Sequence, residues 1–289
     1  MKPKDADRRS TISLLTSTPN VGVTEIKYLE VIDLGLMPYQ QAWDLQKAVQ
    51  KRLIDEKRAR RAEESAKETP SAKGDPSANA DSSAKGDSSA KGDTYAKRSN
   101  DVLLFVEHPH VYTLGKSGDG SHLLAAAAVL DRIGATYVKI DRGGDITYHG
   151  PGQIVGYPII DLDRHYTDIH RYLRELEEVM IRVCADYGFS AARIDGLTGV
   201  WIGDAKICAF GVKCSRWVTM HGFAFNANTS LDYFGHIVPC GITGKKVTSL
   251  QQLLGRPVDP AEVKKRITGH FENVFGVTTV SIDRLPELG

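Results

Sequence analysis

Short apolar runs recur along most of the chain, and their spacing predicts more strands than helices. Strands are predicted at Tyr28–Asp33, Val102–Val106, Val111–Leu114, Thr136–Ile140, Ile154–Ile160, Gly199–Ile202, Lys206–Lys213, Val218–Asn226 and Val277–Ile282. Helices are predicted from Tyr39 into the sixties and at Leu123–Ile133, Asp168–Tyr187, Val247–Leu254 and Pro260–Phe275. Because several strands follow one another directly, we expect an α+β fold with a mixed, mostly antiparallel sheet flanked by helices.

A long gap without large apolar residues interrupts this pattern after the first helix. Beyond Ile54 the chain has no Ile, Leu, Val, Met, Phe or Trp until Val102, and Ser71–Lys97 repeats a six-residue unit with four Lys and four Asp. Such a tract cannot offset its ordering entropy of about 1–2 kcal/mol per residue. We therefore expect a tail at 1–24 and a single catalytic domain at 25–289, interrupted by a disordered insertion at about 65–99. The functional alternative for the insertion is a docking tether.

Composition narrows the class of protein and its location. The chain has 289 residues and a net charge of +1, so no global field favours nucleic acid or an anionic membrane. No apolar stretch approaches the roughly 18 residues of a membrane span. Met1–Pro19 also lacks the apolar core of a secretory signal. We expect a cytoplasmic protein that binds neither nucleic acid nor membrane.

A glycine-rich segment is the first candidate for chemistry. Arg142–Gly152 contains four glycines and one proline in eleven residues, flanked by Arg142 and carrying His149. Glycine permits tight turns and close approach of a ligand to the main chain. The segment lacks the Gly-Lys-Ser/Thr ending of a phosphate-binding loop, and its glycine spacing differs from a dinucleotide fingerprint. A binding loop and a structural turn are both compatible with the spacing.

Two further segments combine a polar residue with an apolar strand. Lys206 follows a Gly-Asp turn and leads into the strand at Lys206–Lys213. A lysine at a strand start often extends to water, whereas one held in a partly dry site can act as a base. His221 precedes alternating small and bulky residues that could form the floor of an apolar pocket. An ordinary packed strand with a structural histidine explains that segment equally well.

The four cysteines provide one candidate nucleophile. Their positions, Cys184, Cys208, Cys214 and Cys240, include no C-x-x-C pair, so we expect neither a zinc site nor a disulfide framework. Cys184 continues the apolar face of a predicted helix, and Cys208 and Cys214 lie within strand patterns. Cys240 stands between proline and glycine in a predicted turn, where side chains are more often exposed and functional.

Together these segments resemble the lipoyl(octanoyl) transferase family. The resemblance runs from about Tyr28 to Val280 and rests on four motifs in the family's order and spacing. They are the Arg-Gly-Gly-x-x-Thr-x-His-Gly-Pro-Gly-Gln stretch, the lysine-bearing strand, the His-Gly segment and the Pro-Cys-Gly turn. The resemblance implies a fold like the catalytic domain of biotin and lipoate ligases. The insertion after the first helix departs from the family pattern but touches none of the motifs.

The resemblance also implies an activity and a set of site residues. It implies transfer of octanoyl from octanoyl-acyl carrier protein to a lysine of an acceptor domain, without cofactor or metal, by a protein that we expect to be monomeric. The acceptors would be lipoyl domains of 2-oxoacid dehydrogenase complexes and the glycine cleavage H protein. Cys240 would carry the acyl thioester, and Lys206 would lower the cysteine's pKa and relay protons. The implied substrate-binding residues are Arg142, Gly143, Gly144, Asp145, Ile146, Thr147, Tyr148, His149, Ala209, Phe210, Gly211, Gly222, Phe223 and Ala224.

Three other functions compete with this interpretation. An ATP-dependent lipoate or biotin ligase would share the fold and need no catalytic cysteine. A non-catalytic acyl-binding or carrier-docking protein would bind octanoate without turnover. A Cys–His hydrolase using His149 or His221 would release the free acid.

Overall fold

The computed structural model describes residues 26–68, 101–238 and 246–285. The predicted tail at 1–24 lies outside these described residues, as do Cys240 and the predicted insertion beyond residue 68. The prediction of one catalytic domain over 25–289 therefore stays a prediction. No helix in the described ranges combines the length and the apolar composition that crossing a bilayer requires.

The described part of the chain contains twelve strands and five α-helices, besides three short 3-10 helices. The strands are β1 (Tyr28–Leu36), β2 (Asp101–Glu107), β3 (Val111–Leu114), β4 (Thr136–Lys139), β5 (Ile146–His149), β6 (Gln153–Ile159), β7 (Ala192–Ile194), β8 (Leu197–Ile202), β9 (Ala205–Ser215), β10 (Val218–Asn226), β11 (Lys246–Val247) and β12 (Thr278–Ser281). The helices are α1 (Tyr39–Glu68), α2 (Ala127–Arg132), α3 (Ile169–Asp186), α4 (Leu250–Leu254) and α5 (Pro260–Phe275). The predicted α+β class is confirmed.

The strands form one large and one small sheet. The large sheet has the order β12-β1-β2-β6-β10-β9-β8-β7, with β11 added beside β9, and the small sheet has the order β4-β3-β5. Neighbours from β2 through β7 are antiparallel, whereas β1 runs parallel to both β2 and β12. The prediction of a mixed, mostly antiparallel sheet is therefore confirmed.

Helices cover both faces of the large sheet, which explains its continuous apolar strands. In β2, Leu103 and Phe105 pack in the cluster that contains α3 and α5, whereas Val102, Leu104 and Val106 pack in the cluster that contains α1. Successive side chains point to opposite faces, so a strand buried on both sides must be apolar at every position.

Local capping signals fix two of the helices. The Asp168 carboxylate accepts from the backbone N–H groups of His170 and Arg171 at the start of α3. Asp259 caps α5, Pro260 occupies its first turn, and Gly276 ends it with φ of +62°. A left-handed C-terminal residue is most readily supplied by glycine, so α5 has the bounds that the sequence predicts.

Several predicted boundaries are wrong. The glycine-rich segment contains strand β5, and only its two ends form turns. The helix predicted from Val247 begins at Leu250, because Val247 pairs with Lys206 as part of β11. The helix predicted from Leu123 begins at Ala127, because Leu123 forms an isolated bridge with Ile237. In each case a tertiary backbone pairing overrides the local pattern.

Candidate functional site

A cavity of about 630 Å³ is bounded by strands of both sheets and by α1 and α3. Of the fifteen predicted site residues that the structure describes, fourteen line this cavity. These are Lys206, Arg142, Gly143, Gly144, Asp145, Ile146, Thr147, His149, Ala209, Phe210, Gly211, Gly222, Phe223 and Ala224. Pockets that hold small ligands are commonly of this size and mix apolar walls with few polar groups.

Two of the predicted segments form one wall of the cavity as paired strands. Ala209 pairs with Ala224, Phe210 with Phe223, and Gly211 with Gly222 along the antiparallel β9–β10 ladder. At Gly211 a side-chain Cβ would lie 2.6 Å from Arg142 Cδ, so glycine leaves room for the arginine to cross the strand. The two segments, separate in sequence, therefore form one continuous surface.

The glycine-rich segment is fastened to this wall by its main chain. The Gly143 N–H donates to the Val212 carbonyl at 3.0 Å. The buried Arg142 guanidinium donates from Nη2 to the carbonyl and hydroxyl oxygens of Thr113, at 2.9 and 3.0 Å. Arg142 thereby ties the segment to β3 while its side chain also faces the cavity.

Tyr148 is the predicted site residue that the cavity does not include. Its side chain is fully buried in the core of the small sheet, and its hydroxyl lies 2.7 Å from His110 Nδ1. Its ring stacks on Tyr233 with centroids 5.0 Å apart. Alternation along β5 explains the difference, because Thr147 and His149 point to the opposite face.

Lys206 is half-buried at the start of β9 and lines the cavity. Its Nζ lies 4.8 Å from the centroid of the Trp201 ring. Its backbone pairs with Val247 in β11, and its carbonyl accepts from the Thr248 N–H at 2.9 Å. Residues 239–245, which contain Cys240, are called the Cys240 segment below. The chain that follows this segment therefore lies directly beside Lys206.

A chain of buried hydrogen bonds supports the cavity from His149 to Thr248. His149 Nδ1 donates to Gln153 Oε1 at 2.8 Å, and Gln153 Nε2 donates to Asn226 Oδ1 at 2.9 Å. Asn226 Nδ2 donates in turn to the Thr248 carbonyl at 3.0 Å. A fully connected buried network holds its members in one geometry, so it links the glycine-rich segment to the strand beside Lys206.

The buried imidazoles around the cavity are held neutral. Burial lowers the pKa of His149 to about 3, and burial lowers the pKa values of His108 and His221 to about 4. His221 Nε2 donates to Asp141 Oδ1 at 2.8 Å, and its backbone has a φ of +59°. A left-handed conformation is uncommon for a residue other than glycine and is typical of functional sites.

The described thiols are poor nucleophiles. Burial raises the pKa of Cys184 to about 12, raises that of Cys208 well above the ordinary thiol value, and raises that of Cys214. Because the thiolate is the reactive form, burial suppresses the reactivity of all three. Cys240 lies outside the described residues. In the described part of the chain no group of three or more His, Cys, Asp or Glu could hold a metal ion.

Several residues of the cavity were not predicted from sequence. Among them are Tyr39 and Tyr157 from α1 and β6, Leu173 from α3, Leu197 from β8, and Val247 from β11. A sixth is His122, whose Nδ1 lies 2.5 Å from Asp145 Oδ2. No local motif marks these residues, because distant elements bring them together.

The family model and the similar proteins of known sequence agree with one another. The family model described as the lipoyl protein ligase A/B catalytic domain matches residues 91–272. The chain is 48% identical over 260 residues to the octanoyltransferase of Flavobacterium psychrophilum, which covers 88% of this chain and 99% of that protein. It is also 48% identical over 255 residues to the octanoyltransferase of Flavobacterium johnsoniae, covering 86% of this chain and 97% of that protein.

Solved structures share the fold. One is the bipartite lipoate protein ligase of Thermoplasma acidophilum, described in an analysis of an archaeal lipoylation system with its E2 lipoyl domain. The superposition has a TM-score of 0.57 and covers 90% of this chain and 88% of that chain, at 14% sequence identity. The predicted resemblance to the catalytic domain of lipoate ligases is therefore confirmed at the level of the fold.

Proposed function

This chain belongs to the lipoyl protein ligase A/B catalytic domain family, and we propose that it transfers an octanoyl group through a thioester on Cys240. It is an acyltransferase, since relatives that align with most of the chain are named octanoyltransferase. The proposed donor is octanoyl-acyl carrier protein. The proposed acceptor is a lysine of a lipoyl domain or of the glycine cleavage H protein. The family and the solved lipoate ligase with its E2 lipoyl domain support acceptors of this class.

The observation that carries the proposal is the position of both ends of the Cys240 segment. The Val238 N–H donates to the carbonyl of His122, and Lys246–Val247 pairs with Ala205–Lys206. His122 and Lys206 both line the cavity. The described residues on either side of 239–245, the stretch that contains Cys240, are therefore joined to residues that line the cavity.

The apolar part of the cavity suits an alkyl chain. Its walls include the side chains of Leu173, Leu197, Val212, Phe223 and Val247. Burying a methylene group contributes about 0.8 kcal/mol, so an eight-carbon chain gains several kcal/mol from such walls. In this proposal the carbonyl end of the chain lies beside Lys206, which lines the same cavity.

Lys206 and Cys240 divide the chemistry of the first half-reaction. A free thiol has a pKa near 8.5, so only a few per cent is thiolate at neutral pH, and a nearby ammonium favours the thiolate. The Cys240 thiolate attacks the donor carbonyl, a new C–S bond forms, and the bond to the carrier sulfur breaks. The departing carrier thiolate takes a proton from Lys206, which becomes neutral.

The second half-reaction regenerates the enzyme. The acceptor amine attacks the Cys240 thioester, the amide C–N bond forms, and Cys240 leaves as the thiolate. Neutral Lys206 takes up a proton that the acceptor nitrogen loses, and its ammonium is restored. A thioester is already activated relative to an amide, so the proposed route includes no ATP step.

Intact-protein mass spectrometry tests this proposal. We expect the parent protein to gain one octanoyl group from octanoyl-acyl carrier protein without ATP and to lose it when a lipoyl domain is added. Cys240→Ser should gain no labile acyl group, whereas the control Cys214→Ser should behave like the parent. An acyl adduct that persists in Cys240→Ser, or a requirement for ATP, would reject the thioester route.

A further inference from the structure

The net reaction releases a proton that Lys206 cannot keep. An acceptor lysine that arrives as an ammonium must lose two protons to become an amide nitrogen. Lys206 gave one proton to the carrier thiol, so it can take back one. The remaining proton must pass to a second base or directly to solvent. At neutral pH only roughly one lysine in 2,500 arrives already neutral, since the ordinary lysine pKa is about 10.4.

His122 has the surroundings of such a base. Its Nδ1 lies 2.5 Å from Asp145 Oδ2, so this nitrogen carries the hydrogen and donates it to the carboxylate. The other ring nitrogen, Nε2, is then an acceptor. The side chain is 30% exposed while that of Asp145 is 12% exposed, so the pair has a buried end and an accessible end. Both residues line the cavity.

The surrounding structure leaves room for the Asp145 carboxylate beside His122. Asp145 Oδ1 is buried and has no hydrogen-bond partner among the described residues. A Cβ at Gly118 would lie 2.6 Å from that oxygen, so the glycine makes the space that the carboxylate occupies. An imidazole that takes up a proton at Nε2 would lie against this carboxylate, which is how a buried Asp stabilises an imidazolium in acyl-transfer enzymes.

The backbone holds His122 at the start of the Cys240 segment. Its N–H donates to the Asp119 carbonyl at 3.0 Å, and its own carbonyl accepts from the Val238 N–H at 2.9 Å. Asp145, from the cavity side, and Asp119, from its own turn, are charged groups that face His122. Val238, before residues 239–245, therefore lies beside His122, and Lys246–Val247, after them, pairs with the strand that carries Lys206.

We propose that His122, oriented by Asp145, is the general base that deprotonates the acceptor lysine in the second half-reaction. Nε2 removes one proton from the acceptor ammonium, and the neutral amine attacks the acyl carbonyl. The second proton passes to Lys206, the Cys240 thiolate leaves, and the imidazolium returns its proton to solvent. This inference rests on the proposed function, because it takes the Cys240 thioester as the species attacked.

Single-turnover kinetics of the two half-reactions test the role. We expect His122→Gln to form the acyl-enzyme at close to the parent rate but to transfer it to a lipoyl domain roughly 10²-fold more slowly at pH 7. The deficit should shrink as the pH rises toward about 10, where the acceptor arrives neutral. Asp145→Asn should slow the same step. The matched control is His270→Gln, which breaks a His–Asp pair of 2.9 Å outside the cavity.

The outcomes separate this role from the function on which it rests. Transfer by His122→Gln at the parent rate would overturn the role of His122 and leave the thioester route intact. An equal loss in both half-reactions at every pH would also overturn it, since that is the signature of a structural defect. If the parent itself forms no acyl-enzyme, the proposed thioester route fails, and the role of His122 fails with it.

Discussion

The ammonium nitrogen of Lys206 lies 4.8 Å from the centre of the Trp201 indole ring. The two residues are cross-strand partners on β8 and β9, next to a register shift between Val200 and Trp201. Cross-strand partners share a face of the sheet, so the ring and the lysine stem lie side by side. Trp201 is 2% exposed and Lys206 is half-buried, so their cation–π contact is worth about 1–2 kcal/mol. The indole therefore holds the lysine in place.

Replacing Trp201 should impair catalysis through Lys206. We expect Trp201→Leu to lower the rate of octanoyl transfer about tenfold, because losing about 1.4 kcal/mol of positioning energy corresponds to that factor. Trp201→Phe keeps an aromatic face and should lose less. Transfer rates and melting temperatures should be measured together. The control is Trp217→Leu at the exposed β9–β10 turn, and equal rates for the two leucine variants would contradict the prediction.

Gly199 should be sensitive because of the same lysine. A Cβ at this position would lie 3.0 Å from Lys206 Cε and 3.1 Å from Trp201 Nε1. We expect Gly199→Ala to move the lysine stem and to reduce transfer by about tenfold. Gly203→Ala is the matched control, since Gly203 also has positive φ but a Cβ there meets nothing within 4 Å.

Comparing the two alanine variants separates strain from displacement. Both introduce a side chain where an L-residue is strained, so both should lose about 1–3 kcal/mol of folding free energy, as measured by urea unfolding. The loss of transfer activity should appear in Gly199→Ala alone. A comparable loss of activity in Gly203→Ala would mean that backbone strain, and not displacement of Lys206, explains the effect.

Much of the fold follows from the sequence, because local and tertiary preferences agree over most elements. The continuous apolar run of β2 and the apolar spacing of α3 and α5 each predict the element that forms. The failures occur where a backbone pairs with a distant strand. Val247 has the pattern of a helix start, yet its backbone completes a ladder beside Lys206. A single sequence carries no signal for such a pairing.

The sequence motifs contain many of the residues that line the cavity, but they do not contain the residues that surround those motifs. Arg142 and Lys206 stand in segments with unusual local composition, and the structure brings both to one cavity. Trp201 and His122 do not stand in segments of unusual local composition. Lys57 illustrates the same limit, because it belongs to a charged helical run but is 4% exposed and lies 2.8 Å from Asp161. Burial of these residues depends on which elements meet in three dimensions.

Lys206 itself should be dispensable for folding but not for transfer. It is half-buried at a strand start, so we expect Lys206→Ala to lower the free energy of unfolding by about 1–2 kcal/mol, the worth of its contact with Trp201, and to leave the protein folded. Removing a positioned proton relay should reduce octanoyl transfer roughly 10²–10⁴-fold. The matched control is Lys246→Ala, because the Lys246 side chain is 74% exposed and pairs with Asp204 in the turn between β8 and β9. Near-normal turnover by Lys206→Ala would remove this residue from the mechanism.

The buried histidines should make the protein lose stability in mild acid. Burial lowers the pKa of His108 to about 4, whereas an unfolded histidine has a pKa of about 6.5. Between these values the unfolded state binds more protons than the folded state, so the free energy of unfolding falls as the pH falls. Above about pH 6.5 both states are neutral at this residue, and its contribution is constant.

His108→Gln isolates that contribution. Its imidazole lies 2.7 Å from both the Met37 carbonyl and the Tyr157 hydroxyl, so the substitution also costs stability at neutral pH. Urea unfolding at pH 8 measures that packing cost, since protonation does not contribute there. Between pH 7 and pH 5 the parent should lose about 2 kcal/mol more than His108→Gln, because each unit below 6.5 costs a neutral buried histidine about 1.4 kcal/mol. Parallel stability curves for the two proteins would show that His108 takes up a proton in the folded state as readily as in the unfolded one.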